Sequence, residues 1–157
     1  MAPDGPPATA RNAPGVLSFS SQALDRVRIG DCIRSTILSC TPETPITDVA
    51  TLMSQRRVHA IVIRANGQQP SAIVSDIDVM AAVACQGDGF AARDIAATQA
   101  LTAPSSDSLR EAAQLMAEHG VSHLIVVDQA NGQPVGVLSS TDILAAYAMA
   151  SGARGET

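Results

Sequence analysis

The sequence predicts an α/β fold made of two copies of one small unit, and three observations support this prediction. The chain has 157 residues, of which 46% are hydrophobic and 16% charged, which is enough apolar material for a compact core. Aligned with itself at an offset of 63 residues, which becomes 64 after one insertion, the chain repeats identical residues in the same order. Each copy also shows a helical apolar stripe followed by two short apolar runs around an Asn-Gly pair.

The repeat is carried by residues spread over the whole unit. The matched positions include Leu38 with Leu101, Leu52-Met53 with Leu115-Met116, Val58 with Val121, Ser75 with Ser139, and Asp78 with Asp142. Because the order and the offset are kept, we interpret the 157 residues as a tail followed by two units of roughly 60 residues each.

Each copy begins with a predicted amphipathic helix. Apolar residues recur at i, i+3, i+4 and i+7, first at Ile46, Val49, Ala50 and Met53, then at Leu109, Ala112, Ala113 and Met116. We expect Thr44, before Pro45, and Asp107 to be the N-caps of these two helices.

Two strands and a second helix follow in each copy. The runs 60–63 and 124–127 are short and rich in β-branched residues, which predicts strands buried on both faces. Asn66-Gly67 and Asn131-Gly132 supply turns, and the segments 72–74 and 135–138 predict the second strands. Small apolar helices are expected from about 77 to 84 and 143 to 150.

The chain divides into four predicted regions. Residues 1–22 form a flexible arm rich in Pro, Gly, Ala and Ser, 23–90 the first repeat, 91–150 the second, and 151–157 a tail. The opening residues lack the basic and apolar regions of a signal peptide, and no apolar run is long enough to span a membrane. We therefore expect a cytoplasmic protein that does not contact a membrane.

Composition excludes several function classes. The net charge is -5, all ten basic residues are Arg, and aromatic residues are only 2% of the chain, which disfavours nucleic acid as a partner and excludes lysine chemistry. The three cysteines have no C-x-x-C spacing, and no His/Cys/Asp cluster has metal-ligand spacing. With no catalytic constellation in the sequence, we expect neither an enzyme nor a metal site.

Candidate binding residues lie where the second strand meets the last helix. Both junctions contain S-x-x-D, at Ser75 and Asp78 and at Ser139 and Asp142. A hydroxyl and the free N–H groups of a helix start can contact a phosphate, and a carboxylate can accept both hydroxyls of a ribose. The same pattern is also a capping box, in which the two side chains only satisfy helix N–H groups, and spacing alone favours that alternative.

At these residues the sequence resembles the cystathionine-β-synthase (CBS) domain, which occurs in tandem pairs called Bateman modules. The resemblance covers about 28 to 150 and rests on the repeated order of an L-M helix, V-x-x before an apolar run, an N-G turn and S-x-x-D. It implies two βαββα units related by a pseudo-twofold axis, with small mixed sheets covered by helices. Two clefts between them would bind adenosine derivatives such as AMP, ADP, ATP or S-adenosylmethionine as regulatory ligands, with no obligatory cofactor.

The family's site residues carry over position by position. Asp78 and Asp142 match its ribose-binding acid, and Ser75 and Ser139 its phosphate-contacting hydroxyl. Stretches that flank the adenine match the residues Leu38, Val58, Ala60, Thr102, Val121 and His123.

The two copies differ in ways that favour the second. Where the family often has Arg before the motif Asp, this chain has Ile77 and Thr141, and Asp76 adds a negative charge beside Ser75. Arg56, Arg57 and His119, at the ends of the first helices, are either cations for a ligand or partners of the helix dipole.

We expect a nucleotide-sensing domain pair that forms a homodimer and relays ligand binding to an effector protein. The helices at 79–85 and 143–150 are its expected interface surfaces. The alternative is a ligand-free dimerisation module whose S-x-x-D motifs are helix caps only. A nucleotide hydrolase is a much weaker third possibility.

Overall fold

The computed structural model describes residues 22–33, 37–65, 69–96 and 98–152. The arm predicted before residue 22 and most of the predicted tail lie outside these ranges, as does the predicted turn at Asn66-Gly67. The elements in chain order are strand β1 (Ser39–Cys40), helix α1 (Ile46–Arg56), strands β2 (Ala60–Ile63) and β3 (Ala72–Ser75), helices α2 (Asp76–Ala84) and α3 (Ala92–Ile95), strands β4 (Thr98–Gln99) and β5 (Thr102–Pro104), helix α4 (Leu109–His119), strands β6 (His123–Val127) and β7 (Pro134–Ser139), and helix α5 (Ser140–Gly152).

The strands form two small mixed sheets, one for each repeat. The first has the order β1-β2-β3-β4 and the second the order β5-β6-β7. In both, the first strand is parallel to the second and the second is antiparallel to the third. Ala60 pairs with Ser75 and His123 with Ser139, so equivalent residues occupy equivalent positions in the two sheets.

The predicted α/β class and the predicted helices and strands are confirmed. Ile61 to Ile63 and Leu124 to Val126 are at most 2% exposed, as expected for strands covered on both faces. Gly132, in the second predicted turn, has a φ of 68°, which glycine adopts without strain.

Both predicted N-caps are wrong. The N-cap of α1 is Pro45, which has no side-chain oxygen, while the Thr44 hydroxyl accepts a hydrogen bond from the Thr41 N–H at 3.1 Å. The N-cap of α4 is Ser108, one residue after Asp107, because Ser108 forms a capping box with Glu111.

The core has three parts. One cluster lies under the helices of each repeat, and a third, made of Val62, Ile73 and Ile125, contains residues of both sheets. The segment that begins each repeat packs into the opposite one: Ile29 belongs to the core around Leu124, and Ala92 to the core around Ile61. The two repeats therefore share their cores.

The first helix of each repeat ends in the left-handed conformation. Gly120, after α4, has φ 64° and ψ 32°, and Arg57, after α1, has φ 53° and ψ 47°. Glycine is the usual residue at such a helix end because a Cβ is disfavoured there. The repeats thus place Arg and Gly at equivalent positions of the same backbone turn.

Across the described residues, every helix is too short or too polar to cross a bilayer.

Candidate functional site

A cavity of about 300 Å³ lies between the two repeats and receives residues from both. Its walls are formed by Leu38, Arg57, Val58, His59, Ala60, His123, Val137, Ser139, Thr141 and Asp142. Six of the ten predicted site residues are in this set. The volume is at the lower end of the range typical of small-molecule sites.

The acidic wall of the cavity is Asp142, held in place by the start of α5. Its Oδ2 accepts hydrogen bonds from the Ser139 N–H at 2.9 Å and from Ser139 Oγ at 2.9 Å. Ser139 Oγ in turn accepts one from the Asp142 N–H at 3.3 Å. Asp142 Oδ1 accepts none from the described residues, so the capping box fixes the carboxylate and leaves one oxygen for a ligand.

A second hydroxyl lies beside this carboxylate. Thr141 Oγ1 is 2.6 Å from Ser139 Oγ, and both residues line the cavity. The equivalent position in the first repeat is Ile77, which has no polar side-chain atom. Only the second junction therefore combines two hydroxyls with the acid.

The first junction has the same internal geometry in a different place. Asp78 Oδ2 accepts hydrogen bonds from the Ser75 N–H at 2.9 Å and from Ser75 Oγ at 3.0 Å. Ser75, Asp78, Thr102 and Val121 do not line the cavity. These four predicted residues are thus outside the cavity wall, although Ser75 pairs with Ala60 in the first sheet.

The Asp76 carboxylate, whose negative charge distinguishes the first junction, is paired with a histidine. Asp76 Oδ2 lies 3.0 Å from His59 Nδ1, and both side chains are substantially exposed. In the second repeat the equivalent residues are Ser140 and Ser122, which carry no charge.

His123 lies in the cavity at the position that Ala60 occupies in the first repeat. Burial lowers the pKa of His123 below its ordinary value of 6.5, while Asp76 and, more weakly, Asp142 act in the opposite direction and His59 lowers it further. Its imidazole is therefore neutral near pH 7, with Nδ1 3.0 Å from Ser122 Oγ.

Arg57 lines the cavity from the end of α1, whereas its neighbour Arg56 does not. Its guanidinium makes no hydrogen bond or ion pair to any described residue. Arg57 and His59 also border a shallow groove between α1 and α2, together with Met53, Asp76 and Met80.

Neither Cys32 nor Cys40 is activated as a nucleophile. Burial raises the pKa of Cys32, with smaller contributions from Asp31 and Asp142. Burial also raises the pKa of Cys40, partly offset by a hydrogen bond to Thr44. Reactive thiolates require the opposite shift. Within the described ranges, no three His, Cys, Asp or Glu side chains are grouped so that they could hold a metal ion.

The sequence predicted the acid and the hydroxyl that line the cavity, Asp142 and Ser139, but not which residues of the first repeat lie beside them. The cavity brings the second junction together with Leu38, Val58 and Ala60 of the first repeat. These residues are far apart in the chain, so no local sequence pattern predicts that they meet. Thr141 and Val137 were not predicted as site residues. The available signal for Thr141 was its hydroxyl, because Ile77, the aligned residue of the first repeat, has none.

A model of the CBS domain matches residues 29–85 and 92–149, which is most of the chain. The chain belongs to the CBS domain family. The two matched ranges correspond to the two repeats, so the protein is a tandem CBS pair.

Individual CBS proteins are similar over most of the chain. A CBS domain protein of Pyrobaculum aerophilum, solved in complex with AMP, is 32% identical, with a TM-score of 0.67 over 78% of this chain and 99% of that one. The CBS domain-containing protein YhcV of Bacillus subtilis is 30% identical over 73% of this chain and 81% of its own length.

Other relatives are longer. An uncharacterized protein of Methanopyrus kandleri is 28% identical over a segment that covers 75% of this chain and 61% of that protein. The chain also matches the homoserine O-acetyltransferases of Methanosphaerula palustris and Methanocorpusculum labreanum, but spans only about a quarter of their length.

Proposed function

We propose that this CBS pair is a regulatory sensor that binds an adenosine derivative in the cavity between its repeats. The candidates are AMP, ADP, ATP and S-adenosylmethionine. The observation that carries the proposal is that Asp142, with one oxygen uncommitted, lines the same cavity as the apolar side chains of Leu38, Val58 and Ala60. An adenine ring suits the apolar wall, and a ribose suits the carboxylate.

The polar end of the cavity supports the same ligand. Ser139 and Thr141 present hydroxyls at the start of α5, where the helix N–H groups favour an anion. A ligand with its ribose at Asp142 would direct its 5′ substituent towards these groups. The AMP complex of the 32% identical relative supports an adenosyl ligand for this chain.

Regulation would follow from the shared walls of the cavity. A ligand that contacts both repeats stabilises one packing of the repeats over others, and this preference can change the affinity for an effector. We place this sensor in the cytoplasm, without a catalytic role. We also propose a homodimer, because α2 and α5 expose large apolar side chains, among them Met80 at 59% and Leu144 at 64%.

A ligand-free module is the second candidate. Both S-x-x-D motifs form complete hydrogen-bonded caps, and this geometry needs no ligand to explain it.

Isothermal titration and thermal shift with AMP, ADP, ATP and S-adenosylmethionine separate the two candidates. A ligand at about 100 times Kd adds about 2.7 kcal/mol to the free energy of unfolding, which raises Tm by several degrees. We expect Asp142→Asn to lose most of this shift. The asparagine amide oxygen can still accept the cap hydrogen bond, while its NH₂ group replaces the free acceptor Oδ1.

Asp78→Asn is the matched control, because it makes the same change in an equivalent cap away from the cavity. We expect its ligand affinity to stay close to that of the unmodified protein. Absence of binding by all four compounds would favour the ligand-free module, and equal losses in the two variants would exclude Asp142 as the ribose-binding residue.

A further inference from the structure

The three basic side chains of the cavity are not equally available to a ligand. His59 is paired with Asp76 at 3.0 Å, and His123 is neutral near pH 7 because burial lowers its pKa. Arg57 is always charged, and its guanidinium makes no hydrogen bond or ion pair to the described residues. It is therefore the cation in the cavity wall that can bind an anion without giving up another partner.

The backbone at Arg57 supports a role beyond the fold. The helix end requires a left-handed residue, and the second repeat uses Gly120 at the equivalent position with nearly the same dihedral angles. Arginine is disfavoured in this conformation, whereas glycine is not. The C-terminal charge of α1 is already met by Arg56, which lies in the last turn of the helix. Helix termination thus explains a glycine at position 57 but not an arginine.

Arg57 also distinguishes the two repeats at their equivalent helix ends. The cavity containing Asp142 has Arg57 in its wall, and its junction is Ser139-Ser140-Thr141, without added charge. The Asp76 carboxylate, which acts on the pKa of His123 and so lies near this cavity, is paired with His59, and the turn equivalent to that of Arg57 is formed by Gly120. The arginine at position 57 therefore favours an anionic ligand in the Asp142 cavity, and the equivalent turn of the second repeat offers no such charge.

We propose that Arg57 is a specificity-determining residue that makes the Asp142 cavity select adenosine compounds carrying a 5′-phosphate over neutral or sulfonium ones. This inference rests on the proposed function and narrows its ligand class. Guanidinium binds phosphate oxygens by charge-assisted, often bidentate hydrogen bonds. It gives no such interaction to adenosine, and it repels the sulfonium of S-adenosylmethionine.

The test compares the affinities of adenosine, AMP and S-adenosylmethionine in the unmodified protein, Arg57→Gly and Arg56→Ala. We expect the unmodified protein to bind AMP at least roughly tenfold more tightly than adenosine, the size of effect that one charged hydrogen bond gives. In Arg57→Gly the AMP affinity should fall close to that of adenosine, while the adenosine affinity stays within about twofold. Arg56→Ala should keep the AMP preference.

Two further measurements distinguish a change in ligand specificity from a change in folding stability. Without ligand, Arg57→Gly should melt at or above the temperature of the unmodified protein, because glycine suits the left-handed turn. The AMP preference of the unmodified protein should weaken at high salt, and that of Arg57→Gly should not.

The outcomes distinguish this inference from the proposed function. If the unmodified protein binds none of these three compounds and neither ADP nor ATP, the proposed function fails and this inference fails with it. If adenosine and AMP bind equally well, or if Arg57→Gly keeps the full AMP preference, the cavity still binds an adenosyl ligand but Arg57 does not select it.

Discussion

Single residues distinguish two repeats that are otherwise alike where they meet. Arg57 corresponds to Gly120, and His123 to Ala60. The backbone hydrogen bonds around these positions are the same in both repeats, for example from Asp76 N–H to the His59 carbonyl and from Ser140 N–H to the Ser122 carbonyl. The backbone around the site is therefore arranged alike in both repeats, and the chemical differences lie in the side chains.

The lowered pKa of His123 gives a pH dependence of stability. Above pH 6.5 the imidazole is neutral in the folded and the unfolded chain, and no stability is lost. As the pH falls below this value the unfolded chain takes up the proton first, so the free energy of unfolding decreases until the folded pKa is passed. Asp76, Asp142 and His59 are the charged or titratable neighbours that modulate the shift.

We therefore expect His123→Ala, which installs the residue of the first repeat, to lose less stability than the unmodified protein between about pH 7.5 and about pH 5.5. Urea midpoints at several pH values measure this. Ser106→Ala, at an exposed residue without a titratable side chain, should keep the original pH profile. An identical acid-induced loss in His123→Ala and the unmodified protein would contradict the assignment.

At the scale of helices and strands, the residue before a helix determines where that helix starts. Of the helices α1, α2 and α4, α2 and α4 begin with a capping box and α1 begins at a proline. Ser108 is only 4% exposed, and its hydroxyl accepts a hydrogen bond from the Glu111 N–H at 3.2 Å. Without the Ser108 hydroxyl, the Glu111 N–H has no hydrogen-bond partner, and water barely reaches this position.

We expect Ser108→Ala to lower the free energy of unfolding by about 1 kcal/mol, the usual cost of removing such a cap. For a chain of this size that corresponds to a fall in Tm of roughly 3 °C. Ser106→Ala, at an exposed residue two positions earlier, is the control and should stay within about 0.5 kcal/mol of the unmodified protein. Calorimetry of the three proteins measures both values, and equal melting temperatures would exclude a stabilising cap at Ser108.

Periodicity predicted the helices and strands because the buried face of each element repeats with its own period. It failed at the caps, since Asp107 and Ser108 are adjacent and both suit an N-cap, and only the partner Glu111 distinguishes them. The pairing of Asp142 with Leu38 and Val58 is set by packing between distant segments, which local patterns do not report. The left-handed turn at Arg57 had one sequence signal, its alignment with Gly120.

At the scale of the whole molecule, shared cores make the two repeats one unit. Ile29 packs into the second repeat, Ala92 packs into the first, and Ile125 joins the sheets. On the outside, α2 exposes Ile77, Met80 and Val83 at 63%, 59% and 62%, a stripe with helical spacing.

For the proposed homodimer, we expect the double variant Met80→Glu with Leu144→Glu to be monomeric, because the buried charges would oppose association. Sedimentation velocity over a range of concentrations measures this. Gln114→Glu, on the exposed face of α4, is the charge control and should remain dimeric. A monomeric unmodified protein, or a dimer that survives the double change, would refute the proposed interface.

The cavity whose walls come from both repeats also bears on how such a chain can evolve. Two separate copies of a single unit, associated about a true twofold axis, must present identical clefts, because any change in one appears in the other. Covalent fusion removes that constraint. Positions 57 and 120 could then diverge, so that one of two equivalent helix ends places an arginine in the cavity wall while the other keeps a glycine.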